Sequence, residues 1–138
     1  FCSITSNSAT SYDGGGVFIR DSATVTMTSC TITLNIAHGG LGGGVCIVSA
    51  TMAMTDCSIT SNTANDYYAN YGGGGVFIQD SATTMTSCTI TSNTALGNNG
   101  GGVFIKDSAN VTMTDCSITS NTANDYYANY GGGGVFIQ

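Results

Sequence analysis

The stretch Thr24-Val-Thr-Met-Thr-Ser-Cys-Thr-Ile-Thr-Leu-Asn35 decides the fold. Val25 and Met27, then Cys30 and Ile32, fall on one side, while Thr26, Thr28, Thr31 and Thr33 fall on the other. Successive side chains of an extended strand point to opposite faces, so this period of two marks a half-buried strand. An amphipathic helix would repeat its apolar residues every three or four positions. The phase slips by one residue between Met27 and Cys30, which predicts a bend there.

The second half of that stretch returns four more times, as Cys2-Ser-Ile-Thr-Ser-Asn7, Cys57-Ser-Ile-Thr-Ser-Asn62, Cys88-Thr-Ile-Thr-Ser-Asn93 and Cys116-Ser-Ile-Thr-Ser-Asn121. Each copy leads through a glycine run to an apolar triplet: Val17-Phe-Ile19, Val45-Cys-Ile47, Val76-Phe-Ile78, Val103-Phe-Ile105 and Val135-Phe-Ile137. The cysteines recur at intervals of roughly 27–31 residues, and a period in that range is the signature of a stacked repeat. Residues 1–138 are therefore read as a single repeat array of about five coils, starting near Cys2, Cys30, Cys57, Cys88 and Cys116. The path from Asn to Val is short in coils one, two and four (Asn7 to Val17, Asn35 to Val45, Asn93 to Val103) and longer in coils three and five (Asn62 to Val76, Asn121 to Val135). The segments 65–71 and 124–130, which carry the extra length, are thus expected to be surface loops. Cys57–Gln79 recurs without change as Cys116–Gln138, and Ser29, Asp56, Ser87 and Asp115 alternate ahead of the cysteines. The duplicated unit is a pair of coils.

Each coil reads as three short strands: the Val-Phe-Ile segment, the Thr-Val-Thr-Met segment and the Cys-Thr-Ile-Thr segment. The glycine run and Asp-Ser-Ala supply the corners. Hairpins of a sandwich would want Asn-Gly or Asp-Gly at each junction, whereas here one residue type recurs at one place per coil, so in-register stacking is expected. Coils then lie about 4.8 Å apart and like residues form columns. Ile4, Ile32, Ile59, Ile90 and Ile118 make one inner column, the cysteines Cys2, Cys30, Cys57, Cys88 and Cys116 a second, and Met27, Met54, Met85 and Met113 a third. Asn7, Asn35, Asn62, Asn93 and Asn121 fit an amide ladder at a corner, where they would also accept a left-handed turn.

Gly-Gly-Gly-Val-Phe, Val-Thr-Met-Thr and Cys-Ser-Ile-Thr-Ser-Asn-Thr-Ala together resemble the repeats of pectate-lyase-like proteins, polymorphic outer-membrane proteins and autotransporter-type adhesins. The resemblance covers the whole chain and implies an all-β, right-handed parallel β-helix solenoid. That scaffold carries lyases, hydrolases, adhesins and inert shafts, so it implies a fold and no single activity.

Composition removes several classes of function. With Lys and Arg numbering 2 and a net charge of -6, the chain cannot neutralise a phosphate backbone, so no nucleic-acid partner is expected. No apolar run approaches the roughly 18 residues of a membrane span, so no membrane insertion by this segment is expected. A chain 41% hydrophobic and 7% charged is too apolar for a solvated coil. Six cysteines in an Asp-rich, Lys-poor chain suggest an extracellular or cell-surface product. Stacked cysteines fall within reach of a disulfide, but five leave one over, and small buried thiols pack well unbridged, so a reduced column is expected. Cys46 stands where other coils have Phe and faces away from Val45 and Ile47.

No cofactor and no metal are expected, because Cys-x-x-Cys is missing and His38 is the only histidine. A calcium ion between Asp80 and Asp107 is the one option. Catalysis is not expected: no nucleophile–base pair stands out, and Arg20 and Lys106 occupy the coil position held elsewhere by Val48 and Gln79. Asp56 and Asp115, about 10 Å apart along a stack, read as spaced charges on a solvated face. A polysaccharide lyase or hydrolase would need residues outside this segment.

Contact residues are the remaining candidates. Tyr67, Tyr68 and Tyr71 recur as Tyr126, Tyr127 and Tyr130 on one edge and suit sugar stacking or contacts between fibres. Phe18, Phe77, Phe104 and Phe136 alternate with Val and Ile, and so are expected to face outward as an apolar stripe for lateral packing, a covering loop or a glycan. Thr26 with Thr28, Thr31 with Thr33, Thr89 with Thr91 and Thr112 with Thr114 resemble the ice-binding face of some β-helical antifreeze proteins, although Ala53 and Ser58 interrupt the columns. Asn110-Val-Thr112 is the one N-glycosylation sequon. The chain starts one residue before a repeat boundary and stops after Val-Phe-Ile without a polar cap, as expected of part of a longer solenoid or of units stacked end to end. The expected role is a structural, adhesive extracellular shaft or fibre, with copies of itself and glycans as partners.

Overall fold

The computed structural model describes residues 1–65, 72–97, 99–124 and 131–138. It is a parallel β-solenoid built from four stacked sheets, named here after a residue each repeats. The Ile sheet holds Cys2–Thr5, Cys30–Thr33, Ser58–Thr60, Thr89–Thr91 and Ser117–Thr119. The Ala sheet holds Ser8–Ala9, Ile36–His38, Thr63–Asn65, Thr94–Leu96 and Thr122–Asn124. The Phe sheet holds Val17–Ile19, Val45–Val48, Val76–Gln79, Val103–Lys106 and Val135–Ile137. The Met sheet has four strands, Thr24–Thr28, Thr51–Thr55, Ala82–Thr86 and Asn110–Thr114. The chain thus makes four complete turns and part of a fifth.

Among the described residues every pairing is parallel, and the register superposes the columns expected from the sequence: Ile4, Ile32, Ile59, Ile90 and Ile118 in one, Met27, Met54, Met85 and Met113 in another. A coil has four strands instead of three. The added one is the Ala-sheet segment after the corner Asn, where Thr63 N donates to Asn35 O at 2.9 Å. Two or three residues around a small alanine are too few to display a period of two, so pattern alone assigns them to the corner.

The bends have a common backbone device. The residue before each later cysteine, Ser29, Asp56, Ser87 and Asp115, has φ of 52–53°, which is the phase slip between the Met and Ile sheets. At the next corner Ser6, Leu34, Ser61, Ser92 and Ser120 have φ of 54–58°. The left-handed residue is therefore the one before each corner asparagine, and none of those asparagines itself takes that conformation. Short polar side chains carry the left-handed turn at lower steric cost than branched or bulky ones, which accounts for Ser and Asp and leaves Leu34 as the exception.

Two apolar clusters hold the coils. The lumen is filled by Ile32, Val45, Ile47, Met52, Met54, Ile59, Val76, Ile78, Met85 and Ile90, with Cys30, Cys57 and Cys88 among them. The second lies outside the lumen, on the other face of the Phe sheet, and contains Cys46, Phe77 and Phe104 with Leu41, Val48 and Phe136 packed against it. The phenylalanines do point away from the lumen, but they do not form an exposed stripe: Phe77 and Phe104 are 0% exposed. The glycine run folds back over them so closely that a Cβ on Gly100 would lie 2.8 Å from the Cβ of Phe104. The rings stack edge to face, 5.4 Å apart for Phe77–Phe104 and 5.1 Å for Phe104–Phe136. Of the phenylalanine column Phe18 is the most open, at 41%, with the Arg20 guanidinium 5.9 Å from its ring centroid.

Candidate functional site

The corner asparagines form a continuous ladder. Asn35 N and Asn35 Nδ2 both donate to Asn62 Oδ1 at 3.0 Å, and Asn35 Nδ2 also donates to Ile4 O at 3.0 Å. Asn62 repeats this toward Asn93 and Ile32, and Asn93 toward Asn121 and Ile59. Asn7 donates in the same way to Asn35 Oδ1. A buried amide is costly unless its donors and acceptor are used, and here one side chain binds coils above and below its own. The glycine run abuts this ladder: a Cβ on Gly44 would sit 3.0 Å from Asn62 Nδ2 and still nearer to Gly75 O, so only glycine lets the backbone approach.

The outer faces of the Ile and Met sheets carry hydroxyls in register. Thr5, Thr33, Thr60, Thr91 and Thr119 make an unbroken column beside Ser3, Thr31, Ser58, Thr89 and Ser117. Across the bend, Thr28, Thr55, Thr86 and Thr114 form another, next to Thr26, Ala53, Thr84 and Thr112. Some hydroxyls already bond one another, as in Ser58 Oγ–Thr60 Oγ1 at 3.1 Å and Thr91 Oγ1–Thr119 Oγ1 at 3.2 Å. Asn110 is exposed at the start of its Met-sheet strand, paired with Ala82, and Thr112 of the sequon is exposed on the same face.

Among the described residues the two cations pair with their sequence neighbours. Arg20 pairs with Asp21 at 2.6 Å and Lys106 with Asp107 at 2.9 Å. Asp107 Oδ2 also accepts from Gln79 Nε2 at 2.8 Å, and Asp80 Oδ1 accepts from Ser108 N at 3.3 Å. Asp56 and Asp115 are exposed and sit in the left-handed bend. Among the described residues, no three metal-ligating side chains converge.

The cysteines are all free thiols; Cys30, Cys57 and Cys88 are buried, while Cys2 is exposed and Cys116 half-buried. Cys57 Sγ donates to Thr55 O at 3.4 Å and Met27 O at 3.5 Å, and Cys88 Sγ to Thr86 O at 3.4 Å and Met54 O at 3.6 Å. Burial pushes the Cys88 thiol up to about 11 and raises Cys57 as well. Cys46, buried among the phenylalanines, is also raised, by burial first and then by Asp13. These thiols are poor nucleophiles, because the thiolate is the reactive form.

Tyr67, Tyr68, Tyr71, Tyr126, Tyr127 and Tyr130 lie outside the described residues, as do 66–71 and 125–130 of the expected loops, whose first residues, Asn65 and Asn124, instead end Ala-sheet strands. Sequence reasoning missed two polar residues that line the lumen. Ser81 stands in the inner alanine position, donating to Gln79 O at 2.6 Å and accepting from Ala50 N at 3.1 Å. Thr83, in register with Met52 and Val111, is 2% exposed and its Oγ1 has no hydrogen-bond partner. Their signal was present: the path from Asp80 to Cys88 is one position shorter than those from Asp21 to Cys30 and from Asp107 to Cys116, and this shortening moves Thr83 into the valine position.

A family model for a right handed beta helix region matches residues 2–138. Neither the curated proteins nor the solved structures compared with the chain gave a match.

Proposed function

The chain belongs to the right-handed β-helix family, and on that premise we propose that it serves as a structural, adhesive shaft at the cell surface or outside the cell. The observation that carries this reading is the equivalence of the coils. The asparagine ladder, the left-handed bends and the strand register recur from turn to turn, so adding a coil adds stability without needing a new kind of contact. The identity of Cys57–Gln79 and Cys116–Gln138 fits lengthening by two-coil duplication. Outward hydroxyl columns supply many weak, neutral hydrogen bonds, suited to repeated contact with glycans or neighbouring copies. A glycan on Asn110 would extend from the Met-sheet face. A non-catalytic role is supported by Asp21, Asp56, Asp80, Asp107 and Asp115, which occupy left-handed turns, Asp21 and Asp107 also pairing with the cations beside them.

Electron microscopy and fibre diffraction of the native material test this. Stiff rods with an axial spacing of about 4.8 Å and retention on immobilised glycans are expected. Dispersed monomers that cleave a polysaccharide would overturn it. The unbroken Thr5–Thr119 column favours ice binding as a second reading, which requires thermal hysteresis that disappears when Thr60 is replaced by Tyr.

A further inference from the structure

We infer that the cysteine column is a binding site for soft, two-coordinate d10 cations such as cuprous or mercuric ion, each held between sulfurs of vertically adjacent coils. Along the chain the cysteines of the column stand one to a coil and form no ligand motif. Stacking changes this. Cys2 pairs in register with Cys30, and Thr31–Ser58, Ser58–Thr89 and Thr89–Ser117 fix the neighbouring cysteines one above another. Successive parallel strands lie about 4.8 Å apart. A metal–thiolate bond is about 2.3 Å, so an ion midway between stacked sulfurs lies at bonding distance from both, with the S–M–S line along the solenoid axis.

The surroundings select the ion. Thiolates prefer soft metals, and Met27, Met54 and Met85 bring thioethers into the same cluster. Zinc wants four ligands, and no three converge among the described residues. Uptake is a proton exchange without redox: two thiols and one mercuric ion give one S–Hg–S unit and two protons released to solvent. That unit is neutral and so tolerates an apolar lumen. A cuprous ion leaves one negative charge per pair, which decreases per metal when successive ions share sulfurs. Because uptake releases protons, it strengthens as pH rises. Cys46 lies outside the column and serves as an internal control.

The test refolds the full chain with mercuric ion, desalts it, and reads metal content, X-ray absorption and β-sheet circular dichroism. Expected is retained mercury with two sulfur neighbours at about 2.3 Å and a native spectrum. Two double variants remove equal numbers of thiols. Cys30→Ala/Cys88→Ala leaves no adjacent pair and should lose the two-sulfur signature, whereas Cys2→Ala/Cys116→Ala keeps Cys30, Cys57 and Cys88 together and should retain it. Equal signatures in both variants, or mercury bound only with loss of the native spectrum, would overturn the proposal. Should Cys30→Ala/Cys88→Ala not fold, the same positions are replaced by Ser and judged alike. Cys46→Ala should leave the two-sulfur signature unchanged, and retained zinc with four sulfur neighbours would also refute the site.

Discussion

Leu41 packs against the outer cluster that contains Cys46, and the two form a compensating pair. Coil two is the one coil with Cys in the phenylalanine column, and the one with Leu four positions before the Val, where the others have Asp13, Gly72, Asn99 and Gly131. Volume removed from the strand is returned from the glycine run. Cys46→Phe alone should therefore overpack the cluster and cost about 1–3 kcal/mol. Adding Leu41→Gly should recover most of that loss. A urea-unfolding double-mutant cycle checks this, and additive effects would contradict the pairing.

Breaking the asparagine ladder in its middle should be among the most damaging single changes. Asn62→Ala strands Asn35 N and Nδ2 without their acceptor and Ile32 O without its donor, all in a buried corner. A loss on the order of 3–5 kcal/mol is expected from several orphaned groups. Asn7→Ala, at an exposed rung, should cost less than about 1 kcal/mol. Chemical denaturation of both variants gives the comparison.

Leu34 is 57% exposed with φ of 58°, at the position where the other coils have Ser. Leu34→Asn should relieve left-handed strain and raise stability by about 1 kcal/mol. Leu34→Val should lower it, since branching at Cβ worsens the clash. Thermal midpoints of the pair are the readout.

Thr83 buries a hydroxyl with no partner in the lumen, between Met52 and Val111. Thr83→Val keeps the shape and removes the desolvation penalty, so a gain of about 1–2 kcal/mol is expected in urea unfolding. A destabilised variant would mean that the hydroxyl is satisfied in solution, for instance by a buried water.

The column thiols should make stability depend on alkaline pH. Burial raises Cys57 and Cys88 above the ordinary value of 9.0, the latter to about 11. Above pH 9 the unfolded chain loses these protons while the folded chain holds them to higher pH, Cys88 up to about 11, so the stability they contribute is full below the unfolded value and declines as pH rises past it. Urea midpoints at pH 8 and 10.5 should differ more for the parent than for Cys57→Ala/Cys88→Ala, a comparison in which the tyrosines cancel. Thiol reagents should label Cys57 and Cys88 only on unfolding.

The repeat was legible because it is one-dimensional: alternation in Thr24–Thr28 and the return of Cys-x-Ile-Thr-x-Asn specify strands, columns and the amide ladder through local pattern alone. The hydroxyl faces follow from the same alternation. Less was legible at the corners and outside the lumen. A period of two says which way Phe77 points, but its burial depends on the glycine run folding back over it, and no local pattern encodes that contact. Pattern alone allows the left-handed turn at the asparagines, because Ser and Asn both suit it, whereas the backbone puts it one residue earlier. Sequence by itself thus determined the strands, the inner columns and their stacking. Tertiary structure alone decided the second apolar cluster and the orphaned hydroxyl of Thr83, because both depend on surfaces that become neighbours only after the chain has turned back on itself.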